Sequence, residues 1–230
     1  MKRLRVPNVE DRVYNEILHA IATQEYAPGD HLIESKVAEE LNISRTPVRN
    51  AFKKMIANGI LEYNRGVGYR IPVLTPLDME NLFLTRSVLE SQAAELAARR
   101  ATKEEVGRLR ELLEMEKDYY AKGLAAKYTK INESIHVGIA VLSKNAYLER
   151  FVSQSFWRAE LYVFFFDRYY FREGYSEGEP LRDPAESQSC RQHERFVEAI
   201  ASGSAEAAGR LMKEHVISTY ETITKRVWPC

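Results

Sequence analysis

The sequence predicts a mainly α-helical protein in two parts: a small unit of three helices closed by a β-hairpin (residues 1–73), then an antiparallel all-α bundle (residues 74–230). Three observations lead there. Apolar residues recur at helical spacing through most of the chain. The one alternating stretch surrounds a glycine turn near Gly66, and Pro72 and Pro76 bracket a linker between the two parts.

In the first unit, Val13, Ile17, Leu18 and Ile21 form a helical stripe preceded by acids that suit a helix N-terminus, with Pro28-Gly29 as its stop. A second helix is expected from Ser35, a candidate cap, with Val37, Ala38 and Leu41 inward. Asn42-Ile43-Ser44 breaks that pattern. Thr46-Pro47 opens a third helix, where proline in the first turn forfeits no hydrogen bond. Val48, Phe52, Met55 and Ile56 make its apolar side, and Gly59 ends it. Two short helices joined by a three- or four-residue turn are a helix-turn-helix. Residues 60–63 and 67–71 then form a hairpin around Asn64-Arg65-Gly66, with Arg65 at its tip.

The second part carries helical patterns over residues 77–100, 103–122, 124–142, 146–170, 184–201 and 205–227, and nothing in it reads as a strand. Only Gly138 interrupts the third pattern, so the expectation is an all-α bundle. The aromatic run of Phe151, Phe156, Trp157, Tyr162, Phe164, Phe165, Phe166, Tyr169 and Tyr170 suits a core or a dimer interface, with part of it lining a cavity as the alternative.

Bulk numbers exclude several classes. With 45% apolar and 29% charged residues, a folded chain is expected. No apolar run approaches the roughly 20 residues that cross a bilayer; the longest, residues 161–166, is flanked by Glu160 and Asp167. The basic start lacks the apolar stretch of a secretory signal, and Cys190 and Cys230 cannot make a disulfide framework, so the cytoplasm is the expected compartment.

The formal net charge is zero, yet Arg45, Arg49, Lys53, Lys54, Arg65 and Arg70 stand against Glu62 alone between residues 41 and 70. Six bases against one acid leave +5 in thirty residues, the footprint of a phosphate-facing surface. With the apolar side of the third helix inward, Arg45, Arg49 and Lys53 recur every four residues on another side, which also carries Thr46. Arginine at the start of a recognition helix reaches guanine edges or phosphates, and a basic hairpin tip beside it is a wing.

Three histidines of the bundle have informative spacing. His193 and His215 are equidistant from position 204, inside the turn signal of residues 201–204, so they face each other across an antiparallel helix pair. Asn132 and His136 share one helix face at i and i+4. If that face turns toward the pair, three nitrogens and an amide oxygen converge, a set suited to Zn, Ni, Cu or Fe with an open position. The alternative is a polar, histidine-lined pocket without metal.

The run PGDHLIESKVAEELNISRTPVRNAFKKMIANGILEYNRGVGYRI resembles the DNA-binding domain of the GntR family, whose pattern reads PG-x-x-L-x-E, then L-A-x-x-L-x-V-S-R-T-P-V-R, then a glycine-bearing wing. The departures are mild: Val37 replaces the usual leucine and Asn50 a common glutamate. The resemblance implies that Ser44, Arg45, Thr46 and Arg49 contact DNA, with Arg65 and Gly66 in or along the minor groove. The bundle resembles the FCD ligand-binding domain. Many members hold a divalent metal with D-x-x-x-H on one helix and single histidines on the last two. INESIHVGI matches the first motif with asparagine in place of aspartate, and QHERFVEAI and MKEHV match the others. This implies Asn132, His136, His193 and His215 as ligands, with a cation affinity lowered by the neutral amide. LTRSVLE resembles R-x-x-L-E, which implies that Arg86 grips an effector carboxylate; its other reading is an ion pair with Glu90.

Together these imply a homodimer on a pseudo-palindromic operator, with a small organic acid entering the bundle. A regulator sensing the metal itself is one alternative, and a metal-dependent hydrolase another. The hydrolase lacks a placed general base, because Glu133 points about 100° from Asn132 on the helix. HExxH does not occur, nor does a Gly-rich phosphate loop, so no enzyme is expected.

Overall fold

The chain runs α1 (Val9–Ala22), β1 (His31–Leu32), α2 (Glu34–Glu40), α3 (Arg45–Ala57), β2 (Glu62–Asn64), β3 (Gly68–Arg70), α4 (Pro76–Arg100), α5 (Lys103–Ala121), α6 (Ala125–Leu142), α7 (Ala146–Phe166), a 3-10 turn (Pro184–Glu186), α8 (Gln188–Ala201) and α9 (Ala205–Val227). The computed structural model describes residues 8–166 and 183–227. The expected helical end over residues 167–170, with Tyr169 and Tyr170, lies outside the described residues, as does Cys230.

Local chemistry accounts for these boundaries, and some differ from the sequence reading. Helix α1 starts on the Asn8 side chain, which accepts from the Asp11 amide, but ends at Ala22, well before Pro28-Gly29. Thr23 closes it and Gln24 takes a positive φ of 63°, so the stop is a local reversal. Helix α2 begins one residue earlier than expected. Ile33 is its N-cap, and Ser35 lies inside the helix. Helix α3 likewise starts at Arg45, with Ser44 at the N-cap. The wing strands are shorter than expected, and β1 adds a third, giving the antiparallel order β1-β3-β2. The expected helix over 184–201 is broken: a 3-10 turn precedes α8, whose N-cap Ser187 accepts from the Cys190 amide.

Two cores form. The head buries Val13, Ile17, Ile21, Val48, Phe52, Met55, Ile60 and Leu61 together with Phe156, Trp157, Leu161 and Phe164 of α7. Phe52, Met55 and Ile60 have no exposed surface, and each such side chain contributes about 1.5–3 kcal/mol. The bundle core joins α4, α5, α6, α8 and α9, with Ala159 and Tyr162 of α7, around Phe83, Ile135, Ile139, Phe196, Met212 and Val216. Helix α7 therefore belongs to both parts, and among the described residues the aromatic run is mainly core, with Phe151 its exposed member.

The α8–α9 hairpin sets the register of the bundle histidines. Gly203 turns the chain with φ 74°, in the left-handed region where a side chain is strained. From that reversal α8 and α9 run back side by side.

Candidate functional site

Two sites emerge, one on each part. On the head, Ser44, Arg45, Thr46 and Arg49 lie exposed on the first turns of α3, and Arg65 and Gly66 are exposed at the wing tip. Ser44 makes no side-chain cap bond. Gly66 holds φ 85°, which lets the hairpin turn tightly. Both arginines converge on Glu34, a residue the sequence reading passed over although it closes the PG-x-x-L-x-E pattern. Arg49 Nε and Nη2 donate to its carboxylate at 3.0 and 2.9 Å, Arg45 Nη2 at 3.2 Å and the Tyr69 hydroxyl at 3.1 Å. The Arg49 hydrogen bond is the main influence holding the Glu34 carboxyl below its ordinary range, with burial opposing and Tyr69 and Arg45 assisting. The side chains of Arg45 and Arg49 stay 62% and 49% exposed, so Glu34 braces them while their outer edges face solvent. Lys54 pairs with Asp11, which lies outside the basic segment, and Arg70 pairs with Glu62, the acid already counted in its +5.

In the bundle, His136 (α6), His193 (α8) and His215 (α9) are buried with one potential ligand atom each, all within 4.8 Å of one another. His193 Nε2 and His215 Nε2 stand 3.2 Å apart across the hairpin. Each ring has its Nδ1 turned outward to an oxygen. His136 Nδ1 lies 2.5 Å from Glu90 Oε2, and His215 Nδ1 lies 2.9 Å from Gln192 Oε1. His193 Nδ1 is 2.7 Å from Glu116 Oε1, close but poorly aligned for a hydrogen bond. Braced Nδ1 atoms leave the Nε2 atoms facing inward, the arrangement that orients metal-binding imidazoles. Burial lowers the His136 pKa, against the pull of Glu90, and lowers that of His215 well below the ordinary value, with His193 adding to the effect. Neutral imidazoles are the form a cation needs.

Asn132 lies one turn before His136 and lines the same cavity, and its Oδ1 is buried with no hydrogen-bond partner. An orphaned acceptor beside three buried imidazoles fits a divalent cation. The cavity measures about 340 Å³ and opens between α6, α7, α8 and α9. Arg86 reaches its wall, buried, with Nε donating to Glu90 Oε1 at 2.6 Å. The ion pair with Glu90 therefore forms, but as a buried pair that also touches His136. The Arg86 guanidinium sits over Phe156 and Phe83, 5.2 and 5.5 Å from the ring centroids. Burial alone would raise the Glu90 carboxyl; Arg86 and His136 outweigh it and hold the group down at about 2. Glu90, Glu116 and Gln192 are the bracing residues that sequence reasoning missed. Each sits on a different helix from its histidine, and only the E of LTRSVLE hinted at the first. Glu133 points away from the cavity, accepting from Trp157 Nε1 at 2.7 Å.

A basic helix-turn-helix with a wing, set on a helical bundle with an internal polar cavity, defines a DNA-binding regulator. Comparison with known proteins specifies which. Residues 9–71 match the bacterial regulatory proteins of the gntR family, and residues 81–218 match the FCD domain. The chain belongs to this family of transcriptional regulators, which are DNA-binding proteins and not enzymes. It is 30% identical over 94% of its length to a probable D-xylose utilization operon transcriptional repressor of Paenarthrobacter nicotinovorans, covering 88% of that protein. It is 32% identical over 52% of its length to the Nta operon transcriptional regulator of Aminobacter aminovorans, covering 57% of that protein. Among solved structures, E. coli McbR/YncC superposes with a TM-score of 0.75 over 96% of this chain and 99% of that one, at 19% identity. That likeness shows the shared fold. Family membership removes the hydrolase reading.

Proposed function

We propose that this regulator is a homodimer of two-domain chains, divided near residue 73, whose bundle holds a divalent cation and a small carboxylate effector and adjusts the grip of the heads on an operator. The observation that carries the reading is the set of three inward-facing, buried imidazoles beside a cavity that Asn132 and Arg86 also line. His136, His193, His215 and Asn132 hold the cation, which when bound supplies a Lewis-acidic anchor for an anionic group. Arg86 presents its guanidinium to the effector carboxylate, a planar donor set matched to that anion. Ser44, Arg45, Thr46 and Arg49 meet the major groove or its phosphates, and Arg65 with Gly66 lies along the minor groove. Pairing of two chains is supported by Leu77, Leu84 and Val88, which are 66%, 50% and 64% exposed along one side of α4. The same reading places the protein in the cytoplasm with the DNA; no described helix is long and apolar enough to cross a membrane.

The test is elemental analysis of purified protein beside a His193→Ala/His215→Ala variant. A near-stoichiometric divalent metal in the parent and little in the variant supports the site, and equal content in both removes it. A regulator that senses metal alone is separated by titrating operator affinity with metal in the absence of organic acid. For the head, Arg45→Ala/Arg49→Ala abolishes operator binding at moderate salt, and retained binding overturns the DNA assignment.

A further inference from the structure

The head is fastened to the bundle differently on its two sides, and the difference singles out one residue of α7. On the side of α1, Trp157, Leu161 and Phe164 are buried in the head core. Apolar packing is strong but non-directional, so it sets the distance of the head better than its angle. On the side of the wing, a groove of about 770 Å³ separates the two parts, with Leu61 and Tyr63 on one wall and Leu82 and Phe151 on the other. The end of α3 meets α7 at Gly59, where a β-carbon would lie 3.2 Å from the Gln154 carbonyl oxygen. Such a contact acts as a pivot, and the wing beyond it needs a strut.

Arg158, one turn after Gln154, is placed as that strut. Its Nη2 donates to Asp78 Oδ2 at 3.0 Å in the first turn of α4, and its Nη1 lies 3.8 Å from Glu62 Oε1 on β2. Glu62 in turn accepts from Arg70 Nη2 of β3 at 3.1 Å, so both wing strands join the cluster. One turn further along α7, the Tyr162 hydroxyl donates to the same Asp78 oxygen at 2.6 Å and accepts from the Thr75 amide of the linker at 3.3 Å. A planar guanidinium between two carboxylates fixes direction as well as distance. Arg158 lines no part of the histidine cavity, so effector binding does not account for it. When two heads engage one duplex each wing lies along its own groove, and the half-site spacing follows from how each head is held. We propose that Arg158 is a positioning residue for operator binding. It locks the wing at a fixed angle to the bundle and thereby limits the half-site spacing that a dimer accepts, which rests on the pairing of two chains proposed above.

The experiment measures fluorescence anisotropy of the full chain on duplexes built from an operator recovered by in vitro selection. The duplexes are the selected operator, the same operator with one base pair inserted between its half-sites, and a single half-site. The insertion turns one half-site by roughly 35° and moves it by about 3.4 Å. The parent is expected to bind the selected operator at least about tenfold tighter than the inserted one. In Arg158→Ala that ratio falls to about threefold or less, while affinity for the single half-site stays within about twofold of the parent. Circular dichroism and a thermal melt check that each variant is folded. Asp78→Asn, which removes one anchor of the guanidinium without opening a cavity, carries the same expectation where the alanine variant does not fold. A ratio equal to the parent's in the folded variants overturns the role of Arg158, and so does a parent indifferent to the insertion. Equal loss of affinity on all three duplexes also overturns it, because the effect then lies within the head. A parent that binds the selected operator no tighter than the single half-site overturns the pairing of chains itself.

Discussion

At the scale of single residues, charge and bracing decide what the histidine cavity can hold. Asn132 contributes an oxygen without charge, so two substitutions are expected to move metal affinity in opposite directions. Asn132→Asp tightens it by adding a carboxylate, and Glu116→Gln weakens it about 10–100-fold by loosening the orientation of His193. Competition against a colorimetric chelator reads both, and an unchanged affinity in either variant contradicts the assigned roles. The same burial fixes a pH dependence of the metal-free form. His136 and His215 bind protons less readily folded than unfolded, so the unfolded chain takes up protons first as pH falls through the ordinary histidine range near 6.5. Stability of the chelator-treated protein should therefore decline below about pH 6.5. Glu90, held at about 2, adds a further loss as pH falls below the ordinary carboxylate range. Calorimetry from pH 8 to pH 4 checks this, and a flat thermal midpoint contradicts it. The convergence of the histidines was legible because equal spacing about a turn is a property of sequence. Their braces were not: Glu90 stands 46 positions from His136 on another helix, a distance that only packing closes.

At the scale of elements, helix identity followed from periodicity, and the ends depended on local backbone events. Helices α3 to α6 and α9 came out close to expectation because caps such as the reciprocal Thr102–Glu105 box are written in residue types. The early end of α1 turns on Gln24 adopting a positive φ, which no pattern announces. Strand β1, two residues long, is too short for alternation to reveal, and it exists because β3 pairs with it. Gly59 is where α3 ends against α7. It holds φ 73°, and a β-carbon there would lie 3.2 Å from the Gln154 carbonyl oxygen. Gly59→Ala should thus cost about 1–3 kcal/mol, combining backbone strain with a tight contact. Urea unfolding measures it, and a midpoint equal to that of the parent would show the junction to be slack.

At the scale of the whole molecule, α7 joins the two sites. Its Phe156 packs beside His136, with ring centroids 5.4 Å apart, and under the Arg86 guanidinium, yet it belongs to the head core. The next residue, Trp157, donates to Glu133 of α6 and packs edge-on against Tyr14 of α1 at 6.4 Å. A ligand that shifted α6 or α7 would thereby act on the base of the head. Sequence alone showed an aromatic run without showing that one helix serves two cores, because that depends on how the parts dock. Trp157→Phe removes the hydrogen bond and keeps most of the packing. It should leave effector-free operator affinity near that of the parent while shrinking the effector response, as read by fluorescence anisotropy. An undiminished response would exclude Trp157 from the coupling. The most direct test of the account measures the operator affinity of the full chain, on DNA recovered by in vitro selection, with and without a carboxylate already shown by thermal shift to bind the cavity. The affinity is expected to change at least about fivefold, and the change to vanish in His193→Ala/His215→Ala. Identical operator affinity with the cavity filled and empty would contradict it.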